Sequence, residues 1–240
     1  MLQKSKLKIG PNFSGPLKTN DSRREIKACL FDLDGVVVDT ARYHYLAWKK
    51  IADDLGFSFS EHDNERLKGV SRMESLDILL EIGKIKVDLK TKEELAATKN
   101  SLYVSYIQKM TPDEILPGVI RFLDELHNND ILIALGSASK NAMSILDKIN
   151  ISQKFDAVID GTKVSKAKPD PEVFLKGAIE LGIDPHDCLV FEDAQAGIDA
   201  ARNGGMHCIG IGQPENLKNA EFVIPGFAKM TLDQLKLWYS

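Results

Sequence analysis

The stretch that decides the fold is Phe31-Asp32-Leu33-Asp34-Gly35-Val36-Val37-Val38-Asp39-Thr40. It follows the apolar run Ile26-Lys27-Ala28-Cys29-Leu30, which predicts a short buried strand. A strand interior does not accommodate two unpaired carboxylates, because removing their charge from water is costly. We therefore expect the strand to end near Asp32, and both Asp32 and Asp34 to lie in the loop at its carboxyl end. By itself, such a pair more often forms an acidic surface turn than a reactive site.

The composition is that of an ordinary globular protein. The chain has 240 residues, of which 43% are hydrophobic and 28% are charged, enough for one large domain or a core with an insertion. A net charge of -4 gives no electrostatic argument for nucleic acid or an anionic membrane as partner. No apolar run approaches the length of a membrane span. We therefore expect neither nucleic acid nor a membrane as partner. We also expect the protein to be a monomer.

The cysteines and the amino terminus bear on the compartment. Cys29, Cys188 and Cys208 lie in strand-like apolar runs, and their odd number and spacing favour buried free thiols in a reducing cytoplasm. Residues 1–21 are basic and lack the apolar segment of a secretory signal. We interpret them as a disordered extension and assign them no function.

The hydrophobic pattern divides the rest of the chain into two kinds of segment. After Thr40, apolar residues recur at helical spacing in three stretches, at about 41–55, from Ser71 onward, and at about 92–109. Beyond Pro117-Gly118, strands alternate with helices, with strands at 131–135, 157–159, 188–191 and 208–211 and a possible edge strand at 222–224. This pattern predicts an α/β fold, a Rossmann-like doubly wound parallel sheet core of residues 22–40 and 112–240 with an inserted all-helical cap of residues 41–111.

Polar side chains suited to phosphate or metal follow four of the predicted strands. In an open parallel sheet, ligands bind outside the carboxyl ends of the strands. Asp32 and Asp34 follow the first strand, Ser137 the second and Lys168 the third, and the pair Glu192-Asp193 follows the fourth. Taken singly, the serine is equally a helix cap, the lysine a surface side chain and the acidic pair a helix start. One site at the sheet edge would hold them all.

These residues, in this order, resemble the four motifs of the haloacid dehalogenase superfamily. The motifs are Asp32-x-Asp34, Ser137 after an apolar strand, Lys168 before Pro169, and the stretch 190–197 around Glu192 and Asp193. The resemblance implies that Asp32 becomes an aspartyl-phosphate, a known form of covalent catalysis, and that Asp34 moves protons. It also implies that Ser137 and Lys168 hold the transferring phosphoryl group. Asp32, Glu192, Asp193 and the backbone carbonyl of Asp34 would bind Mg²⁺.

The predicted cap narrows the reaction. The stretches 40–48, 67–72 and 137–141 resemble those of sugar phosphomutases in this superfamily, and the resemblance extends over essentially all of 26–240. It implies an isomerase that acts on small sugar phosphates through a bisphosphate intermediate. Arg72, with Ser139 and Asn141, would hold the second phosphate. His44 and Lys99 would contact substrate or couple closure to the position of Asp34, although a helix histidine also packs and a helix lysine is usually solvated.

Arg72 has a physical argument of its own. It follows Ser71, the predicted N-cap of a helix, and Ser71 with Glu74 fits a capping box. A helix amino terminus presents free N–H groups, so an arginine there makes a phosphate clamp with bidentate geometry.

Two alternatives to a mutase stay open at this point. The first is a Mg²⁺-dependent sugar-phosphate or phosphoglycolate-type phosphatase with the same core, in which water rather than a sugar receives the phosphoryl group. The second is a binding module without catalysis, which is disfavoured because none of the motif positions is lost.

Overall fold

The structure is a computed structural model that describes residues 25–68 and 70–239. The predicted extension 1–21 lies outside the described residues. The strands of the described part are β1 (Ala28–Phe31), β2 (Leu132–Gly136), β3 (Ala157–Ile159), β4 (Cys188–Glu192), β5 (His207–Ile211) and β6 (Phe222–Ile224). Its helices are α1 (Ala41–Asp54), α2 (Glu61–Glu65), α3 (Arg72–Ile82), α4 (Leu89–Ile107), α5 (Val119–His127), α6 (Ala142–Lys148), α7 (Glu172–Leu181), α8 (Gln195–Asn203) and α9 (Leu232–Tyr239).

The six strands form one parallel sheet in the order β3-β2-β1-β4-β5-β6. This is the strand order of a Rossmann-like doubly wound sheet, in which the crossovers change direction beside the first strand. The carboxyl end of β1 therefore lies between those of β2 and β4. The predicted fold class is confirmed, and β6 is the edge strand that the sequence suggested.

Alternate side chains of each strand pack into different layers. Cys29 and Phe31 of β1 face the layer of α5, α6 and α9, whereas Ala28 and Leu30 face α7 and α8. Both faces are apolar, as expected of parallel strands that are covered on both sides. Within the described residues, no helix is both long and apolar enough to cross a membrane. The three cysteines are buried and free.

The segment between β1 and α5 contains four α-helices and no β-strand in its described residues. Helices α1, α3 and α4 enclose an apolar cluster of their own, which includes Trp48, Leu76 and Leu79. The two chain segments that enter and leave this helical unit run side by side, since Val38 bridges Ile115 and Leu116 N–H donates to Val37 O over 3.0 Å. The division into a core and a cap at residues 40 and 111 stays a prediction.

Several local expectations need correction. The capping box of Ser71 is half formed, with a bond from Glu74 N–H to Ser71 Oγ of 3.3 Å. Helices α2 and α9 were not predicted.

Four phenylalanine rings form a cluster directly behind the carboxyl ends of β1 and β4. Phe31 and Phe191 stack with centroids 4.9 Å apart, and Phe227 lies 5.1 Å from Phe191 and 5.3 Å from Phe122. The rings are essentially inaccessible to solvent. Since Phe31 precedes Asp32 and Phe191 precedes Glu192, this cluster fixes the base of the site.

We predict that Phe227→Ala lowers the free energy of unfolding by about 3–5 kcal/mol, because it removes a buried ring and leaves a cavity. Urea unfolding measures the effect. Phe222→Ala is the matched control, since that ring is half-buried at the sheet edge against Trp238, 4.4 Å away, and its loss should be smaller. Equal losses for the two variants would contradict a packed aromatic base under the site.

Candidate active site

A cavity of about 290 Å³ lies between the strand ends and the helical unit. Both sides contribute to it, since its wall includes loop residues after β1, β2, β3 and β4 and residues of α1, α3 and α4. The predicted site residues that line it are Asp32, Asp34, His44, Arg72, Lys99, Ser139, Asn141, Lys168 and Asp193. The other two, Ser137 and Glu192, are buried and contact residues of this wall. The structure thus brings all the predicted site residues together.

Lys168 connects the ends of β1 and β4. Its Nζ donates to Asp32 Oδ1 over 2.6 Å and to Glu192 Oε2 over 3.4 Å. The lysine is 2% exposed, so the alternative of a solvated surface side chain is wrong. Burial lowers the pKa of Lys168, but the charges of Asp32 and Glu192 outweigh it and raise the pKa above its ordinary value. The ammonium therefore stays charged and fixes Asp32 in place.

Glu192 is the last residue of β4 rather than the first of the following loop, which corrects the expected position. It is completely buried, and its carboxyl group lies so close to Gly197 that a Cβ on residue 197 would overlap it. Burial, with the charge of Asp32, raises the pKa of Glu192 well above its usual range. One oxygen, Oε1, has no hydrogen-bond partner among the described residues.

Three carboxyl groups are close enough to hold one metal ion. Oxygens of Asp32, Glu192 and Asp193 lie within 4.8 Å of one another. Two ammonium groups, of Lys168 and Lys68, face these three carboxyl groups, and one buried Glu192 oxygen has no partner among the described residues, so the ionised cluster is incompletely compensated. These hard oxygen donors fit a small divalent cation, which takes few carboxylates and completes its shell with water and phosphate oxygens.

Asp193 lies across the turn that follows β1. Its Oδ2 occupies the space where a Cβ on Gly35 would be, and Gly35 has a φ of +81°. From the helical unit, Lys68 Nζ approaches the same oxygen to 3.7 Å. Burial and the charge of Asp32 raise the pKa of Asp193 to about 7.

Asp34 lies in the same loop as Asp32 and contacts it through its backbone. Its N–H donates to Asp32 Oδ2 over 3.1 Å, and its Oδ1 accepts a hydrogen bond from Thr40 Oγ1. Burial, followed by the charge of Asp32, raises the pKa of Asp34 to about 6. Near neutral pH, both the protonated and the ionised forms of Asp34 are therefore populated.

His44 and Lys99 form a pair that faces Asp34. Lys99 Nζ lies 2.8 Å from His44 Nδ1, and His44 Nε2 lies 3.8 Å from Asp34 Oδ2. Lys99 is 2% exposed, so the solvated alternative is wrong, and its ammonium lies over the rings of Trp48 and Tyr103. Burial and the charge of Arg72 lower the pKa of Lys99 to about 7. Burial and the charge of Lys99 lower the pKa of His44 well below its usual range.

Arg72 is the first residue of α3 and lines the cavity. Its guanidinium makes no hydrogen bond or ion pair with any residue that the structure describes, and burial lowers its pKa. The loop after β2 lies on the core side. There Ser137 Oγ accepts from Ser139 N–H over 3.1 Å, and Asn141, not Ser137, is the N-cap of α6. Asn141 Nδ2 donates to Asn100 Oδ1 over 3.1 Å and joins this loop to α4.

Several residues of the cavity were not predicted as site residues. Those in the wall are Trp48, Asn64, Lys68, Asn100 and Tyr103, and Thr40 behind it reaches the site through its bond to Asp34. Thr40, Trp48 and Lys68 lie inside motif stretches and were accessible to sequence reasoning. The others lie on helices where their positions give no signal, because which helix face meets the core depends on tertiary packing.

We predict that Asp193→Asn stabilises the metal-free protein at pH 8. The pKa of this carboxyl is about 7 in the folded protein against an ordinary value of 3.8, so the folded state holds a proton that the unfolded state releases between those pH values. Stability therefore falls as pH rises through this window, and an amide avoids the loss. We expect a gain of at least about 1 kcal/mol, or about 2–4 °C in melting temperature.

Thermal unfolding in EDTA at pH 5 and pH 8 measures this effect. Glu93→Gln, which removes an exposed carboxyl on α4, is the control and should change little. An Asp193→Asn variant that is no more stable than the parent at pH 8 would contradict the inference that uncompensated negative charge destabilises the metal-free cluster.

Known proteins that are similar to this chain indicate its family. The model of a family described as haloacid dehalogenase-like hydrolase matches residues 26–205. The chain is 44% identical to the β-phosphoglucomutase of Bacillus subtilis (strain 168) over 88% of this chain and 94% of that protein. A crystal structure of β-phosphoglucomutase from Clostridium difficile superposes with a TM-score of 0.85 at 44% identity, covering 89% of this chain and 97% of the other. A phosphorylated carbohydrates phosphatase of Thermotoga maritima is 29% identical over 77% of this chain and 84% of its own length. The chain belongs to the haloacid dehalogenase-like hydrolase family.

Proposed function

We propose that this protein is a β-phosphoglucomutase, which interconverts β-D-glucose 1-phosphate and D-glucose 6-phosphate through an aspartyl-phosphate and β-glucose 1,6-bisphosphate. The observation that carries the proposal is one cavity whose two walls each carry groups suited to phosphate chemistry. Asp32 and Lys168 supply one set on the core side, and Arg72 enters the same cavity from the helical side without a partner among the described residues. A bisphosphate that must bind in two orientations needs both sets. The 44% identity to relatives of that name supports the proposal.

Asp32 is the nucleophile in this proposal. The phosphorylated Asp32 passes its phosphoryl group to the 6-hydroxyl of β-glucose 1-phosphate, which gives the bisphosphate. The bisphosphate then reorients in the cavity so that its C1 phosphate faces Asp32. An Asp32 oxygen attacks the phosphorus of that phosphate, and the bond from phosphorus to the C1 oxygen breaks. Glucose 6-phosphate then leaves. Lys168 orients Asp32 and neutralises charge on the transferring group, with Ser137 as a further donor.

Asp34 moves the proton in both steps. As a carboxylate it accepts the proton of the 6-hydroxyl, and as a carboxylic acid it returns a proton to the leaving C1 oxygen. A pKa of about 6 suits a group that has to work in both directions near neutral pH. His44 and Lys99 position Asp34 from the helical side, and the bond from Thr40 holds the carboxyl group in the loop.

Asp32, Glu192 and Asp193, with the backbone carbonyl of Asp34, would hold Mg²⁺ in this proposal. When bound, the ion compensates the negative charge of the carboxylates and of the phosphoryl oxygens. Ser139 and Asn141 join Arg72 around the second phosphate.

Residues 41–111 act as a lid in this proposal. Phosphoryl-transfer sites often close to exclude water. The paired segments at Val38 and Ile115 connect the lid to the core and are the hinge. We further propose that the protein works as a monomer in the cytoplasm, because one chain supplies both walls of the cavity and its cysteines are free.

A sugar-phosphate phosphatase is the second candidate. The relatives at 26–30% identity include the phosphorylated carbohydrates phosphatase and a hexitol phosphatase B of Escherichia coli. In that reaction, water would take the phosphoryl group from Asp32, and a second phosphate site would be unnecessary.

We predict that the purified protein converts β-glucose 1-phosphate to glucose 6-phosphate when catalytic β-glucose 1,6-bisphosphate and Mg²⁺ are supplied. Phosphorus NMR with a coupled assay for glucose 6-phosphate identifies the products. EDTA and Asp32→Ala should each abolish turnover. Formation of glucose and inorganic phosphate alone would decide for the phosphatase.

We predict that Arg72→Ala lowers isomerisation of β-glucose 1-phosphate by more than about tenfold. A buried charged contact is typically about 2–5 kcal/mol. Hydrolysis of acetyl phosphate, which has no second phosphate, should fall much less. Arg66→Ala is the matched control, because this arginine of the helical unit pairs with Glu81 over 3.1 Å outside the cavity. Equal loss of both activities, or loss of neither, would refute the clamp.

A further inference from the structure

One polar side chain in the cavity wall has no part in the chemistry described so far. Asn64 lies on α2, is 7% exposed and lines the cavity. Its Oδ1 is fully buried and has no hydrogen-bond partner in the part of the chain that the structure describes. A buried carboxamide oxygen without a partner is unusual, since nearly all such groups are satisfied in folded proteins.

The neighbouring polar group of this wall already has a partner. Ser75 is also buried, and its Oγ donates to Leu67 O over 3.4 Å. Leu67, Ser75 and Asn64 line the same cavity. Asn64 therefore offers a hydrogen-bonding group that its own wall does not use.

The chemistry of the group restricts its ligand. A carboxamide is neutral, and it both donates and accepts hydrogen bonds, which suits a hydroxyl group better than a phosphate. The phosphates of a hexose bisphosphate have charged partners elsewhere in the cavity, on Lys168 and Arg72. What remains between the two phosphates is the sugar ring with its hydroxyl groups.

We propose that Asn64 is a specificity-determining residue that hydrogen-bonds one ring hydroxyl of the hexose phosphate. This inference rests on the proposed function for its substrate class. A site that is built to bond a hydroxyl rejects an analogue that lacks it, because the buried protein group then loses its partner. Asn64 thereby selects the hexose without touching the reacting atoms.

The test compares β-glucose 1-phosphate with its 2-deoxy, 3-deoxy and 4-deoxy analogues. For the wild-type enzyme, kcat/KM should fall by about tenfold or more for the analogue that lacks the hydroxyl bound by Asn64. In Asn64→Leu, which keeps the volume and removes the polar atoms, that difference should disappear while the discrimination at the other two positions stays. The effect on the natural substrate should appear mainly in KM.

Two controls separate this role from a structural one. His62→Leu changes an exposed residue of the same helix and should leave every ratio unchanged. The melting temperature of Asn64→Leu should match or exceed that of the wild type, since no bond within the described protein is lost. Asn64→Ala provides a second variant with a smaller side chain.

The proposal is overturned if both Asn64 variants keep the wild-type ratios for all three analogues. It is also overturned if both variants lose thermal stability in parallel with activity, because Asn64 would then be a structural residue. Failure of the proposed function is distinguishable. If the wild type only hydrolyses β-glucose 1-phosphate, the mutase proposal fails, and the same ratios measured on hydrolysis still decide the role of Asn64.

Discussion

A buried ammonium group shared by two buried carboxyl groups is the interaction on which this site depends. Lys168 lies between Asp32 and Glu192, and all three are almost inaccessible to solvent. Removing one member of a buried charge pair typically costs about 3–5 kcal/mol, because the remaining charge stays in a medium of low polarity. The cluster therefore fixes the end of β1 to the end of β4. With Asp193 and Lys68 beside it, two ammonium groups face three carboxyl groups, so the metal-free site carries more negative charge than it can compensate when all three are ionised.

The sheet provides the geometry that this cluster needs. In the order β3-β2-β1-β4-β5-β6, the strands carrying Asp32 and Glu192 are direct neighbours, with Phe31 paired to Phe191 one residue earlier. The phenylalanine cluster fills the space behind these strand ends, so the charged side chains cannot turn into the core. Their side chains lie at the sheet edge, where ligands bind in folds of this kind. Stability and cation binding are opposed here, since the uncompensated negative charge that destabilises the free protein also favours the binding of a cation.

The core of the site was predictable because few local rules suffice. Once strands are recognised, their carboxyl ends must meet at one edge, which brings Asp32, Ser137 and Lys168 together without any knowledge of side-chain packing. The extension of β4 to Glu192 was missed because apolarity alone ends that strand early, whereas the bond to Lys168 satisfies the acid within it. Helix α2 was missed because its sequence Glu-His-Asp-Asn-Glu has no apolar period, and it forms around a capping box of Ser60 and Asp63. For the same reason Asn64 gave no signal, since its burial depends on how α2 packs against the rest of the helical unit.

The cavity wall formed by the helical unit carries the opposite electrostatic character to the wall formed by the core. Arg72, Lys99 and Lys68 approach the cavity from that side, and the pKa of Lys99 is depressed to about 7 by burial and by Arg72. Like charges that are brought together away from water repel, so this wall is best compensated when an anion lies between them. Under the proposed function, a sugar bisphosphate supplies one phosphate to the acidic, metal-binding core and the other to the cationic cap. Water carries no phosphate and cannot compensate either wall. Closure of the cavity is therefore most favourable when the sugar bisphosphate is bound. Selection of a sugar hydroxyl over water as the phosphoryl acceptor follows from this pairing of charges rather than from Asp32 and Asp34 alone, which a phosphatase also requires.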